Sequence, residues 1–463
     1  MASIQKTVSP VDGRVYVERP LASPAEIARA IADARAAHAA WRLVPVCERV
    51  ALINRAVDAF VAKRDAIAEE ITWQMGRPIG QSPGEVRGVE ERARYMASIA
   101  EAALSPGDSG AKPGFTRFVA RAPLGLIFTI APWNYPYLTA VNSVVPALLA
   151  SNAVILKHSA QTPLCAERFG EAFAAAGLPK GVFQHVHMNH DSTLKLIGAP
   201  EVDFVCFTGS VEGGHAVQQA ASQRFIGAAL ELGGKDPAYV RADANFDHAV
   251  ENLVDGAFFN SGQSCCGIER IYVDAAIYDR FVEAYAALTR KYVLGNPTDE
   301  ATNLGPMVRI SAADSVRIQI ADAKARGARG LIDEKLFPPS KAGTPYLAPN
   351  VLIDVDHSMA VMTEESFGTV VGIMKVGSED EAIRLMNDST CGLTAAIWTG
   401  DEKAALRIGQ RLETGTVFMN RCDYLDPSLA WTGVKDSGRG ATLSRIGFEH
   451  LTRPKSFHLR TAI

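Results

Sequence analysis

The feature that most constrains the fold is a repeated exchange between two hydrophobic periods. From about residue 120, short apolar runs at 125–130, 153–156, 183–186 and 204–207 are separated by helical stretches. Strands alternating with helices indicate parallel α/β units. A second series, at 238–240, 270–273, 370–376, 395–398 and 416–419, makes a second such unit. Upstream, residues 23–103 are helical: Ile27, Ala30, Ile31 and Ala34, then Val50, Ile53, Val57, Phe60 and Val61, recur at three- and four-residue spacing. Ser23-Pro24 supplies a cap and a first-turn proline. At 463 residues the chain exceeds what one hydrophobic core usually fills, so two or three units are expected.

Two segments stand outside this alternation. Residues 105–114, rich in Gly, Pro and small polar residues, precede a strand-like run at 115–120, and the tail at 455–459 has similar alternating character. Both read as edge strands, which invite pairing with another subunit.

Composition excludes several classes of function. A formal charge of −4 with no Lys/Arg run disfavours nucleic acid as a partner. The longest apolar stretches, such as 144–150 and 124–131, fall far short of the roughly 20 residues of a membrane helix. The first ten residues lack a basic segment followed by an apolar core, so no secretory signal is expected. The seven cysteines are scattered, odd in number and without CxxC spacing, which fits a reduced, cytoplasmic compartment and suggests no metal site.

Four landmarks carry possible chemistry. Pro132-Trp133-Asn134-Tyr135-Pro136 directly follows an apolar strand, where α/β proteins place ligands. The Asn134 amide there could donate to an oxyanion or merely shape a turn. Phe207-Thr208-Gly209-Ser210 runs from a strand into a glycine-rich turn and a helix starting near Val211, whose amides could cradle phosphate; a plain tight turn is the alternative. In Leu230-Glu231-Leu232-Gly233-Gly234-Lys235 a carboxylate stands among apolar residues, either a general base raised by burial or half of an ion pair. In Ser261-Gly262-Gln263-Ser264-Cys265-Cys266 a thiol follows a helix end, as a nucleophile or as inert packing.

In this order, with Cys265 lying 34 positions after Glu231 and with Glu365-Ser366-Phe367-Gly368 and Lys435-Asp436-Ser437-Gly438 following, the landmarks resemble the aldehyde dehydrogenase superfamily over nearly the whole chain. The resemblance implies an α/β fold: a Rossmann-like cofactor domain from 1–105 and 123–230, a catalytic domain from 231–440, and a small β oligomerisation element from 106–122 and 441–463, assembled as a homodimer or homotetramer. It implies Cys265 as nucleophile, Asn134 with the Cys265 N–H as oxyanion hole, and Glu231 as the base that hydrolyses the thioester. Trp133, Lys157, Ala160, Gly209, Ser210, Glu365 and Phe367 match the positions that hold NAD or NADP. Tyr135, Thr139, Asn142, Ser264, Cys266, Asp423, Leu425 and Trp431 match the substrate pocket. A CoA-acylating dehydrogenase would not need Glu231, and a catalytically silent homologue would not need the set Asn134, Glu231 and Cys265.

Departures from the family pattern shape three further expectations. Ser143 and Thr442 stand where a Lys and a Glu usually relay protons, so proton release must take another route. Members acting on succinate semialdehyde commonly have Arg at the position of Asn142, so an unpaired distal carboxylate would be costly. An aromatic, medium-chain or amino-aldehyde is therefore expected, with Tyr135 and Trp431 offering ring faces and Asp423 a charge for a cationic tail. NAD-selective members usually carry Glu where Ala160 stands, so NADP is expected to be accepted with NAD still usable, unless His158 or a neighbouring loop closes the phosphate space.

Overall fold

The computed structural model describes residues 3–422 and 424–462; Asp423 lies outside the described residues. Two parallel-rich sheets and one small antiparallel sheet organise the chain. The first sheet has the order Gly438–Arg439, Gly227–Glu231, Phe204–Thr208, Leu126–Ala131, Ala153–His158, Phe183–His185. Every residue of Leu126–Ala131 and Ala153–His158 is buried, as expected of parallel strands covered by helices on both faces. From Leu126–Ala131 the chain builds outward through Ala153–His158 and Phe183–His185, then returns to the other side at Phe204–Thr208. That reversal opens a crevice at the carboxyl ends of the central strands, and Trp133 and Asn134 stand just past Ala131.

The second sheet has seven strands, in the order Arg329–Gly330, Asn350–Ile353, Val370–Val376, Ile268–Asp274, Asp236–Val240, Thr394–Trp398, Thr416–Met419. The third consists of Thr452–Arg460, Phe115–Pro123 and Gly107–Asp108. The two edge-like segments of the sequence thus pair with each other, antiparallel from Thr452 opposite Pro123 to Arg460 opposite Phe115. Phe118 stacks on Phe457 at 4.6 Å between ring centroids.

Helix Pro24–Trp41 begins at the expected cap: Ser23 accepts from the Glu26 N–H and Glu26 reaches back to Ser23, a reciprocal capping box. Helix Val211–Ala221 starts where the glycine-rich turn ends. The Gly227–Glu231 strand, which carries the candidate base, lies beyond what the sequence pattern signals. Its Gly-Ala-Ala stretch has little intrinsic strand preference, and it is held by parallel pairing to Phe204–Thr208 and antiparallel pairing to Gly438–Arg439. The hairpin Ile4–Val8/Val15–Pro20 and the strand Asn350–Ile353 were likewise silent in the sequence. Among the described residues no helix is long and apolar enough to cross a membrane.

Candidate active site

Between the two large sheets lies a cavity of about 240 Å³ whose wall includes Cys265, Glu231 and the described pocket positions Tyr135, Thr139, Asn142, Ser264, Cys266, Leu425 and Trp431. Trp431 packs with Leu393 and Leu443 into a small apolar cluster against both cysteines and Leu425. Of the remaining cysteines, Cys165, Cys206 and Cys422 are buried, while Cys47 is exposed and Cys391 half-buried; all seven are free thiols.

The segment before Cys265 is held in an unusual backbone conformation. Asn260, Ser261 and Gly262 have φ of 53°, 58° and 70°, three consecutive residues in the left-handed region, at a cost of roughly 1–2 kcal/mol for each non-glycine residue. Side-chain bonds hold them there. Asn260 accepts from Arg77 Nε at 3.1 Å and donates to the carbonyls of Asn134 and Gln263, both at 3.2 Å, and Ser261 donates to the Gly305 carbonyl at 2.9 Å. Arg77 is itself fully buried, pairs with Glu85 at 2.5 Å and donates to the Asn134 carbonyl. The Glu85 carboxylate also accepts from the N–H groups of Tyr137 and Leu138, each at 2.9 Å. One buried ion pair thus joins the Asn134 turn to the loop that presents Cys265.

This arrangement sets the candidate oxyanion donors. Asn134 is buried, and its Nδ2 touches the Gln263 carbonyl at 3.3 Å, which leaves its second N–H available. The Cys265 N–H has no backbone acceptor among the described residues. The two neighbouring thiols share a hydrogen bond and titrate as a unit; that bond, with burial, pushes the Cys265 thiol well above its ordinary value.

Glu231 ends the Gly227–Glu231 strand. Among the described residues it makes no ion pair, which removes the structural ion-pair alternative. Thr442 Oγ1 donates to one carboxylate oxygen at 2.5 Å and Thr208 Oγ1 to the other at 3.0 Å. Burial raises its pKa above 4.5, against the opposing effect of the two hydroxyls. Thr442 therefore touches the carboxylate directly, while Ser143 faces Thr129 at 3.2 Å.

The cofactor positions gather along the crevice. Trp133 and Phe367 meet edge-to-face at 5.7 Å. Glu365 accepts from the Gly234 N–H at 3.0 Å, and burial together with the nearby Glu269 pushes its pKa up to about 7. The loop bearing Glu365 is anchored by Glu269, which accepts from the Ser366 and Phe367 N–H groups at 2.8 Å and pairs with buried Lys235 at 2.5 Å. A Cβ at Gly233 would lie 2.4 Å from a Glu365 carboxylate oxygen, so a larger residue there would displace that carboxylate. Ser210 caps helix Val211–Ala221 by accepting from the Gly213 N–H, so the helix opens onto the crevice beside Gly209. Lys157, at the end of its strand, is buried, and its ammonium has no hydrogen-bond or ion-pair partner among the described residues. A buried cation without a partner among the described residues, at the same carboxyl ends of the sheet from which Trp133 and the Ser210-capped helix follow, fits a nicotinamide dinucleotide.

Ala160 is exposed, in a turn pinned by Thr7 Oγ1 donating to its carbonyl at 2.8 Å. The His158 ring is buried. Its Nε2 donates to the Pro136 carbonyl at 3.0 Å, its Nδ1 accepts from the Ser159 N–H, and burial draws its pKa down to about 4.

Two arginines bear on the substrate side of the cavity. The side of the pocket at Asn142 does carry a cation: Arg92, from helix Pro83–Leu104, donates to Asn142 Oδ1 at 3.2 Å. One face of the Tyr135 ring is covered by the Arg77 guanidinium, 4.7 Å from the ring centroid. Arg92, Arg77, Glu85 and Thr208 were missed in the sequence. A signal for two of them exists: Glu85 and Arg92 fall on the same buried stripe as Val86, Val89, Ala93 and Met96 of one helix, where charges are rare unless partnered.

Comparison with known proteins agrees with this geometry. The model of the aldehyde dehydrogenase family matches residues 2–457. A succinate-semialdehyde dehydrogenase [NADP(+)] of Deinococcus radiodurans is 34% identical over 449 residues, covering 97% of this chain and 93% of the relative. A betaine aldehyde dehydrogenase of Rhizobium leguminosarum bv. trifolii is 32% identical, covering 99% and 94%. Among solved structures, a succinic semialdehyde dehydrogenase from Streptococcus pyogenes in complex with NADP+ superposes with a TM-score of 0.94 at 27% identity, covering 98% of this chain and 100% of that one. The chain belongs to the aldehyde dehydrogenase family.

Proposed function

We propose that this NAD(P)-dependent aldehyde dehydrogenase forms a free carboxylic acid through a thioester on Cys265. The observation that carries the reading is a carboxylate with no cationic partner, Glu231, on the wall of the same cavity as the Cys265 thiol. Cys265 gives its proton to water, and sulfur adds to the aldehyde carbon as the thiolate. Asn134 Nδ2 and the Cys265 N–H donate to the resulting oxyanion, in a site where fixed donors are worth most. A bound nicotinamide would supply the acceptor for the hydride of this carbon. Glu231 then takes a proton from water as the oxygen attacks the thioester, and sulfur departs as the thiolate. Thr442 and Thr208 orient the carboxylate and offer a hydroxyl route for its proton in place of the Lys/Glu relay.

Lys157, Trp133, Gly209, Ser210, Glu365 and Phe367 hold the cofactor, and the absence of a carboxylate at Ala160 admits a 2′-phosphate. The strand excursion and C-terminal strand serve as the oligomerisation element. Rapid mixing tests the two roles. Cys265→Ala abolishes NAD(P)H formation, whereas Glu231→Gln keeps a burst of up to one equivalent per site and then turns over slowly. Absence of both burst and acyl-enzyme in Glu231→Gln would place Glu231 before hydride transfer and overturn this assignment. Acid as product, with no acceleration by CoA, separates this reading from the acylating one.

A further inference from the structure

Arg92 is the cation on this cavity wall that the mechanism leaves unused. It lies on helix Pro83–Leu104, only 8% exposed, yet its acceptors among the described residues are neutral: the Leu138 carbonyl at 2.9 Å and Asn142 Oδ1 at 3.2 Å, both taken by the same nitrogen, Nη1. Among the described residues Nε and Nη2 have no acceptor and no carboxylate lies within ion-pair distance. The anionic groups whose field reaches it are engaged elsewhere or belong to the reaction. Glu85 is paired with Arg77, Glu91 accepts from the Tyr424 hydroxyl, Glu231 is held by two threonines, and Cys266 accepts from the Cys265 thiol. Asp255, also on the wall, engages a neighbour of its own.

A guanidinium buried without a counter-ion is costly, and its planar fork matches a carboxylate in bidentate geometry. The two nitrogens left open, Nε and Nη2, form one edge of that fork. We propose that Arg92 is the carboxylate receptor of the substrate cavity, so that the preferred substrates are oxo acids, aldehydes carrying a carboxylate at the far end of the chain. This rests on the reading of the cavity as an aldehyde dehydrogenase site. Asn142 orients the guanidinium through Nη1 and is a positioning residue.

The test measures kcat/KM for succinate, glutarate and adipate semialdehydes and for alkanals of matching chain length, in the wild type, R92K and R92Q. The best semialdehyde is expected to exceed its matched alkanal by at least tenfold in the wild type. R92Q should lower that ratio at least thirtyfold, chiefly through KM, and R92K should restore part of it. A wild-type ratio below ten, or an R92Q ratio within threefold of the wild type, overturns the proposal. Should R92Q fail to fold, the wild-type ratio decides alone. Absence of NAD(P)H formation with every aldehyde overturns the dehydrogenase reading and this inference with it, whereas alkanal turnover without preference for semialdehydes overturns this inference only.

Discussion

A half-buried carboxylate with no cation bonded to it holds its proton to higher pH than an exposed one, and Glu231 is such a group. Its base form is lost as pH falls through this raised pKa, so the acid limb of thioester hydrolysis should lie above pH 4.5. Glu231→Gln should remove that limb while slowing steady-state turnover by about 10²–10⁴; a pH profile of kcat for both proteins checks this. Glu365 titrates on the other side of the crevice. With its pKa pushed up to about 7, it is charged above that pH and neutral below it, and only the charged form is a strong acceptor for a ribose hydroxyl. The KM for cofactor should therefore rise as pH falls below about 7, and Glu365→Gln should give a flat, uniformly raised KM.

At the scale of elements, the loop presenting Cys265 is stabilised from outside itself. Its left-handed residues are unfavourable alone, and the helix that begins at Pro83 supplies Glu85 to fix Arg77, which in turn fixes Asn260 and the Asn134 turn. Arg77→Met should cost about 3–5 kcal/mol, because it leaves a buried carboxylate uncompensated. Denaturant titration measures this, and Arg77→Met/Glu85→Gln should recover part of the loss. A stability change below about 1 kcal/mol would show that the pair does not support the loop.

For the whole molecule, cofactor choice and assembly are the testable properties. An Ala160→Glu carboxylate would repel a 2′-phosphate, so the kcat/KM ratio of NADP to NAD should fall at least tenfold, about 1.4 kcal/mol. A wild-type preference for NAD above roughly a hundredfold, about 2.7 kcal/mol, would show that Ala160 does not control the choice. The Thr452–Arg460 strand has Phe115–Pro123 on one side and no strand on the other among the described residues, which leaves a row of backbone groups free to pair. Light scattering should report a dimer or tetramer; a monomer would assign the three-stranded sheet another purpose.

The sequence by itself determined the parallel α/β class, the nine strand positions 125–130 through 416–419, the capped helix at Ser23, and the ordered landmarks from Asn134 to Glu365. These are local signals: a strand's apolar run, a cap, or a catalytic motif is written in adjacent residues. Contacts between elements were not written that way. Thr442 reaches Glu231 across 211 positions and Arg92 reaches Asn142 across 50, and periodicity states which face of a helix is buried without stating which element it meets. The Gly227–Glu231 strand forms because two neighbours offer it hydrogen bonds, not because its residues favour extension. Asn142 read alone denied the pocket a cation; only helix-to-helix packing placed one beside it.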